Sequence, residues 1–445
     1  MDIAFIVLTI LIGLVFLFLF LLLSFQVIFI LFAPLKPKKF KKHEAKNRFA
    51  IIIPAHNEES VISNSVNNLL NNIDYPRDLY DVYVCADNCN DSTYKLAKEA
   101  GAIVYERFCE DPNKKRAAYP IKLLIEKVLE ADKYDAVIKF DADNLPCPEF
   151  LLRMNDAILE GVNIARAHEA PSNMGQNLWS SVSSCYYARD SRLACNFRER
   201  MNWNSMISGA GMMVTTKVLK EIGGWDALSG IDDAEFAVKR MLGKYHINYI
   251  PEAIVYEDQP SSRKDSANRN ARMANALNKL YFGEGMKLLG MFFKTGKLTY
   301  LDMWCQLSFV PLPLALSISI PIYLAFYFIT LGLEAGGIHI YSWMFTPGLE
   351  GTAFLTIKWT LIAGLIALGL FYILWTYQSW LGVYLDRKIL GKNWYKDARK
   401  GIWLGAFAMI VYGFSVTDGT SKKKVKWASI KRNPQNNDKK REFLN

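Results

Sequence analysis

The 445-residue sequence predicts an α/β domain placed between transmembrane helices. Two patterns predict it. Short apolar runs alternate with helical patterns over residues 47–265, and long, almost uncharged apolar runs lie on both sides of that region. Hydrophobic residues make up 51% of the chain, which excludes a disordered or collagen-like protein.

The apolar runs predict both the membrane segments and their orientation. The run at 3–33 is long enough to span a bilayer with tilt, and lysines follow it from Lys36 onwards. The positive-inside rule therefore places the N-terminus outside and the α/β domain in the cytosol, at a bacterial plasma membrane. The runs at 305–333 and 354–384 predict a membrane hairpin, and the shorter run at 402–416 predicts an amphipathic or re-entrant segment. The predicted domains are an N-terminal helix (1–35), a cytosolic domain with interfacial helices (36–285), the hairpin (286–400) and a basic tail region (401–445).

The net charge of +10 first suggests a nucleic-acid partner, but its distribution does not. Residues 36–48 carry +6 and residues 421–445 carry +7, so the remainder is slightly acidic. Both basic stretches lie beside apolar runs, which indicates contact with anionic lipid and no nucleic acid. The seven cysteines form no CxxC pair, so neither a zinc site nor a disulfide framework is expected.

Strands are predicted at 49–53, 81–86, 103–106 and 136–140, with helices between them, which is typical of a parallel sheet. Ligands bind such sheets at the carboxyl ends of the strands. Polar clusters follow three of these strands, at 54–59, 86–93 and 140–144. Taken alone, the first two are equally explained by helix capping and helix N-terminal acids.

The third and a fourth cluster suggest chemistry. Asp141 and Asp143 occupy alternate positions after a strand, so both should face one side and bind a divalent cation, Mg²⁺ or Mn²⁺. The fourth cluster, at 231–236, opens a helix predicted at 234–242 and offers a carboxylate base for an incoming hydroxyl. The helix dipole should keep the pKa of such a carboxylate low. The alternative is that these acids only stabilise the start of the helix.

Taken in order, the segments 53–58, 86–93, 140–144, 209–212 and 223–226 resemble the membrane-bound family 2 glycosyltransferases. That family has a GT-A fold and includes the cellulose, hyaluronan and poly-N-acetylglucosamine synthases. The resemblance covers about residues 47–285. It implies an inverting hexosyltransferase that uses a UDP-sugar donor.

The resemblance also implies roles for particular residues. It assigns catalysis to Asp233 as the base and to Arg272 at the diphosphate, and it assigns the metal to Asp143 and Asp141. Arg269 and Met273 stand where the family's Q-x-x-R-W motif has Gln and Trp. The substrate-binding residues implied are Pro54, Ala55, His56, Glu58, Asp87, Asp141, Gly211, Trp225, Arg269 and Met273. Phe414, Val416 and Thr417 resemble the start of a gating loop.

The leading functional hypothesis is a synthase that extends a β-linked polysaccharide or oligosaccharide acceptor, with glucose as the favoured sugar, and exports the chain. Three spans are few for a pore, so a fourth span, a partner subunit or a homo-oligomer would be needed. Met273 in place of Trp favours an alternative, a single transfer that forms a lipid-linked sugar. A further alternative is a non-catalytic GT-A scaffold.

Overall fold

The computed structural model describes residues 27–307 and 350–421, together with a few isolated positions outside these ranges. The described part contains one eight-stranded sheet in the order β3-β2-β1-β4-β7-β6-β8-β5. Its strands are β1 (Phe49–Ala55), β2 (Tyr80–Asp87), β3 (Ile103–Arg107), β4 (Ala136–Lys139), β5 (Leu145–Pro146), β6 (Ile164–Pro171), β7 (Met212–Thr215) and β8 (Asn248–Glu257).

Helices connect and cover these strands. Those of the α/β domain are α1 (Ile62–Asn71), α2 (Thr93–Glu99), α3 (Ala118–Ala131), α4 (Phe150–Leu159), α5 (Leu178–Arg189), α6 (Asn196–Arg200), α7 (Thr216–Glu221) and α8 (Asp232–Leu242). They are followed by α9 (Arg263–Leu280), α10 (Met286–Thr295), α11 (Leu298–Leu307), α12 (Glu350–Leu385), α13 (Arg387–Leu390) and α14 (Trp394–Ser421). One-turn π-helical segments lie at Asp190–Cys195 and Tyr281–Gly285.

The four predicted strands and the helices between them are confirmed, but the fully parallel sheet is wrong. β3, β2, β1 and β4 run parallel, whereas β7 is antiparallel to both of its neighbours, β4 and β6. After β4 the chain forms β5, α4, β6, α5 and α6 before it reaches β7. β7 then lies between β4 and β6 and runs against both of them.

The sheet is buried on both faces, which explains why β1 is a continuous apolar run. Ile51 and Ile53 pack with α1 and α4 on one face, whereas Ala50 and Ile52 pack with α3, α7 and α8 on the other. Residues on this strand are at most partly accessible, and its centre is fully enclosed. The strand ends are therefore held rigidly, which fixes the loops that follow them.

The C-terminal helices pack on the α/β domain. α14 lies against α5, where the Ser181 hydroxyl donates to the carbonyl of Asp397 (2.9 Å) and accepts from the N–H of Gly401 (2.9 Å). At the end of α12, Asp386 Oδ2 lies 3.1 Å from Nε2 of the buried His168 on β6. These contacts join the C-terminal helices to the sheet.

Ile362–Leu385, within α12, is long and apolar enough to cross a membrane, judged by length and composition. The predicted spans at 3–33 and 305–333 lie almost entirely outside the described residues. α14 begins at Trp394, so the domain boundary predicted at residue 400 falls inside a helix. This helix also contains Phe414, Val416 and Thr417, so the backbone predicted to form a gating loop is helical. The segment holds no proline, and its helical hydrogen bonding continues unbroken.

Candidate active site

The carboxyl ends of β1, β2 and β3 meet at one edge of the sheet. The strand register pairs Ala55 with Ala86 and Asp87 with Arg107. After β1, Nδ1 of His56 lies 2.7 Å from the carbonyl oxygen of Asp87. The N–H of Glu58 donates to the Thr93 hydroxyl at 2.8 Å. The structure thus brings together the first two polar clusters, with Pro54 and Ala55 closing β1.

Arg107 is a member of this edge that sequence reasoning missed. Its guanidinium forms an ion pair of 2.5 Å with the carboxylate of Asp87, which is only 2% exposed. The same guanidinium lies over the ring of Tyr119, 5.3 Å from its centroid. A cation directly after the strand predicted at 103–106 was the available signal. Arg107 fixes the carboxylate that the resemblance assigns to uridine.

Asp141 and Asp143 lie in a turn rather than on a strand. β4 ends at Lys139, and Asn144 closes the turn, with its N–H donating to the Asp141 carbonyl (3.0 Å) and its Oδ1 accepting from the Asp141 N–H (2.9 Å). The Asp141 side chain is 42% exposed, whereas Asp143 is buried. The expectation that alternation along a strand aligns the two side chains is therefore wrong, because the strand ends before them.

Lys139, the last residue of β4, brings the third and fourth clusters together. Its Nζ lies 3.0 Å from Oδ1 of Asp141, although Lys139 is only 6% exposed. A Cβ built on Gly209 would lie 2.6 Å from this Nζ, 3.6 Å from Oδ2 of Asp233 and 3.8 Å from Oδ2 of Asp141. An ammonium and two carboxylates thus surround one glycine.

The pKa values of the carboxylates at the start of α8 differ from those that the helix dipole alone predicts. Burial raises the pKa of Asp233 above its ordinary value, and Asp141 raises it further, although Lys139 opposes both effects. Burial, together with Asp233 and Asp141, raises the pKa of the neighbouring Asp232 to about 7. The expected low pKa of Asp233 is therefore wrong, because desolvation and like charge outweigh the dipole.

For Lys139 itself, burial would lower the pKa, but Asp141, Asp232 and Asp233 outweigh burial. The pKa of its ammonium lies above the ordinary value. The charged form is therefore the one that the site stabilises.

Two further acids face the turn, and sequence reasoning missed both. β8 pairs Tyr256 with Leu145, which places Glu257 beside the end of the turn. Burial, with Glu169 and Asp143, raises the pKa of Glu257 to about 8. Glu169 is 1% exposed, and its Oε1 has no hydrogen-bond partner among the described residues. The sequence gives only a weak signal for Glu169 and Glu257, since each is a single acid in a strand.

These acids fit a divalent cation. Asp141 and Asp143 supply the oxygen ligands that Mg²⁺ and Mn²⁺ prefer, and like charges so crowded favour a cation between them. Within residues 27–307 and 350–421, no three His, Cys, Asp or Glu side chains form a complete metal site. Two carboxylates would leave positions for phosphate oxygens, which is how magnesium is usually held.

α9 supplies the cations on the other side of the site. Burial lowers the pKa of Arg272, as does Arg269, whereas Asp141 and Asp233 raise it. Arg269 donates to the Ser183 hydroxyl (2.8 Å) and to Oε1 of Gln259 (3.3 Å). Met273 packs against the apolar cluster that holds Ile231 and Ala234 at the start of α8.

Two residues implied as substrate-binding, Trp225 and Gly211, have clear structural roles. Trp225 is 3% exposed and stacks on Phe236 with 4.5 Å between ring centroids, so it belongs to the core. Gly211 has φ +69°, and a Cβ there would lie 2.8 Å from that of Ala167. Both backbone conformation and packing therefore require glycine at this position.

Comparisons with known proteins identify the family of the chain. The family model described as "Glycosyltransferase like family 2" matches residues 46–276. A probable glycosyltransferase, YdaM of Bacillus subtilis, is 24% identical over 58% of this chain and 61% of its own length. A beta-monoglucosyldiacylglycerol synthase of Trichormus variabilis is 26% identical over 47% of this chain and 44% of its own length. The chain thus spans about half of the length of these relatives.

Two solved structures are similar to the chain. A mannosyltransferase from Pyrobaculum calidifontis, in complex with GDP-Man and Mn²⁺, covers 93% of this chain and 97% of its own, at 15% identity and a TM-score of 0.49. Glucosyl-3-phosphoglycerate synthase from Mycobacterium tuberculosis covers 53% of this chain and 79% of its own, at 17% identity and a TM-score of 0.37. The family model covers more than half of the sequence and the whole of the mixed sheet. The chain therefore belongs to glycosyltransferase family 2 and has a GT-A-like α/β fold.

Proposed function

We propose that this enzyme transfers a single hexose, with inversion, from a UDP-sugar to the hydroxyl of a lipid acceptor at the cytosolic membrane surface. Glucose is the first donor to test. One observation carries the proposal: the helix that presents Asp233 is packed, through its apolar side, against helices whose outer faces are exposed and apolar. The donor would lie on the sheet edge, and the acceptor would approach from that apolar side.

The reaction follows from the positions of the side chains. Asp233 accepts the proton of the acceptor hydroxyl as its oxygen forms a bond to the anomeric carbon of the sugar. The bond from that carbon to the diphosphate oxygen breaks, and the nucleotide diphosphate leaves with the electron pair. Arg272 stabilises the charge on the diphosphate. A divalent cation on Asp143 and Asp141 would neutralise the same charge.

The raised pKa of Asp233 suits a base. Proton transfer is most effective when the pKa of the catalytic group lies close to the working pH. An Asp at its ordinary pKa would accept a proton from a hydroxyl only late in the reaction. Burial moves the pKa of Asp233 in the favourable direction, and the Lys139 ammonium limits the rise.

The acceptor side has the character of a membrane-contacting surface. Phe282, Met286 and Phe293 are 65%, 44% and 77% exposed, and they lie on one face of the segment that ends in α10. Lys287 and Lys294 are exposed beside them. A helix with an exposed apolar face and flanking lysines is typical of segments that lie in a lipid interface.

This surface, defined by Phe282, Met286 and Phe293, is connected directly to the site. Leu288, on the opposite face of α10, is fully buried with Ile231 and Ala234, which precede and follow Asp232–Asp233. Met273 packs on the same cluster. A lipid headgroup held at this surface would therefore lie on the side of the site that presents the base.

Single transfer is preferred to polymer synthesis for two reasons. Met273 offers an apolar contact where the processive synthases have a flat ring, and a flat ring is the better platform for a sugar chain. The relatives named as synthases make a glucosyl lipid. Extension of a β-linked polysaccharide is the second candidate, favoured by Arg272 within a motif like that of the processive enzymes. Export would then require the membrane helices and a partner subunit.

Product analysis distinguishes the two candidates. The purified full chain in nanodiscs containing diacylglycerol and phosphatidylglycerol is incubated with UDP-[¹⁴C]glucose and Mg²⁺. We expect label in the organic phase, in a product heavier than its acceptor by one hexose. Label in aqueous material many sugars long would favour the polymer instead.

The acceptor side is tested separately. We expect Phe282→Ser/Phe293→Ser to lower the rate with acceptor in vesicles, because less apolar surface contacts lipid. Transfer to a water-soluble acceptor should be unchanged. Leu159→Ser, at an exposed leucine of α4, is the matched control. An equal loss with both acceptors would contradict the membrane role.

A further inference from the structure

Lys139 occupies an unusual position for a lysine. It ends the central strand β4, paired with Ile52 of β1 on one side and Met212 of β7 on the other. Its side chain lines a small internal cavity together with Ile121, Trp225 and other apolar residues. Lysine is almost never buried in this way unless a carboxylate pairs with it. A carboxylate partner must therefore stabilise the positive charge of Lys139, because its apolar surroundings do not.

Its ammonium is placed where the two acidic clusters of the site meet. Asp141 comes from the turn after β4, 3.0 Å from Nζ, and Asp233 comes from the start of α8. The Cβ position of Gly209 lies 2.6 Å from Nζ and 3.6 Å from Oδ2 of Asp233, so both groups surround the same point. Lys139 is the last residue of β4, a strand with hydrogen-bonded neighbours on both sides. The cation therefore comes from the rigid centre of the sheet.

We propose that Lys139 is a positioning residue, a built-in counter-ion that holds Asp141 and the Asp232–Asp233 pair together before the donor arrives. This rests on the proposed function of Asp233 as the base. The ammonium also competes with a divalent cation for Asp141. The competition favours the ammonium in the free enzyme. It favours the divalent cation once a nucleotide diphosphate adds its own negative charges.

Gly209 belongs to the same arrangement, because it gives the Lys139 ammonium the space it needs. A Cβ at this position would overlap the Lys139 ammonium, so only glycine lets the ammonium reach the carboxylates. Its φ angle lies outside the left-handed region, so the backbone itself does not require glycine here. The close approach of Nζ is the physical reason for glycine.

The test is Lys139→Met in the purified full chain, titrated with Mn²⁺ alone and followed by electron paramagnetic resonance. Loss of the ammonium leaves the carboxylates uncompensated, so we expect Mn²⁺ to bind about ten-fold tighter or more, the effect of one charge a few ångströms away. Lys133→Met, which removes an exposed lysine far from the cluster, should leave Mn²⁺ binding unchanged. The turnover of Lys139→Met should fall, because Asp233 is no longer oriented. Mn²⁺ affinity equal to that of the wild type would overturn the proposal, whatever the turnover.

Gly209→Ala keeps the proposal testable if Lys139→Met does not fold. The overlapping atom is the end of a flexible side chain, so the chain can accommodate the methyl group by moving the ammonium. We expect tighter Mn²⁺ binding and slower turnover, both smaller than in Lys139→Met. Unchanged Mn²⁺ binding in a folded Gly209→Ala would count against the proposal. The titration uses neither donor nor acceptor, so its result is independent of which sugar or lipid the enzyme uses.

Discussion

At the scale of single residues, the site holds more acidic than basic side chains. The acids are Asp141, Asp143, Asp232, Asp233, Glu169 and Glu257, and the cations that influence them are Lys139, Arg166, Arg269 and Arg272. Burial is the largest cause of the raised pKa values of Asp232 and Glu257, and like charge adds to it. A site with this excess of acids suits a divalent cation. The substrate would then supply the remaining oxygen ligands of that cation.

Removal of the divalent cation is therefore expected to stop transfer. EDTA should abolish turnover, and Mg²⁺ or Mn²⁺ should restore it. Asp143→Asn should lower turnover about 100-fold or more, the scale of losing one main electrostatic stabiliser, and should weaken Mn²⁺-dependent UDP binding measured by calorimetry. Asp132→Asn, at an exposed turn, is the control. Turnover that is insensitive to EDTA would contradict the metal assignment.

At the scale of elements, the junction between α5 and α14 is the closest contact of the C-terminal helices with the domain. Ser181 bonds to both Asp397 and Gly401, and a Cβ on Gly401 would overlap the backbone of Ser181. The two helices can approach this closely only because position 401 has no side chain. α14 also packs along α9, which carries Arg269 and Arg272.

Gly401→Ala should separate these helices. We expect it to lower the stability by about 1–3 kcal/mol, the usual effect of overpacking, and to lower turnover through α9. Gly290→Ala is the matched control, since nothing lies within 4 Å of a Cβ there. It should be neutral or slightly stabilising, because alanine is the better helix former. The midpoint of thermal unfolding in nanodiscs measures both variants, and an unchanged midpoint for Gly401→Ala would refute the close junction.

Elements with strong local patterns could be predicted from the sequence. β1, β2, β3 and β4, with α1, α2, α3 and α8, are found where apolar spacing and turn residues predicted them, with ends shifted by at most three residues. β6, β7 and β8 were not predicted, because the direction of β7 depends on its partners rather than on its own residues. The gating-loop resemblance at Phe414, Val416 and Thr417 depended on a short motif, whereas the backbone there continues the helix that holds the apolar run 402–416.

In the candidate site, too, residues with a local sequence signal could be predicted, whereas the others could not. Residues that end strands, such as Ala55 and Asp87, could be placed because strand ends share an edge. Glu257 could not, since its approach to Asp143 depends on the pairing of β8 with β5. Lys139 was missed because a lysine is almost never buried unless a carboxylate pairs with it. Trp225 was predicted to bind substrate because a Gly-Gly-Trp-Asp segment matched a motif, whereas its ring packs in the core.

At the scale of the whole molecule, one apolar cluster lies between the proposed donor edge and the proposed acceptor side. The sheet fixes Asp87, Asp141 and Lys139, and α8 brings Asp233 to them. α8 in turn rests on α10 and α11, which lead towards the apolar run that begins near residue 305. Because these elements pack on one another in this order, we propose that a cytosolic donor and a membrane acceptor meet at Asp233.

The most direct test of that account is the turnover number of Asp233→Asn beside its dissociation constant for the UDP-sugar. Both are measured on the purified full chain in nanodiscs with Mn²⁺ and a lipid acceptor. The account predicts a turnover lower by about 10²–10⁴, the range for loss of a general base, with donor binding unchanged. Transfer by this variant at the wild-type rate would contradict it.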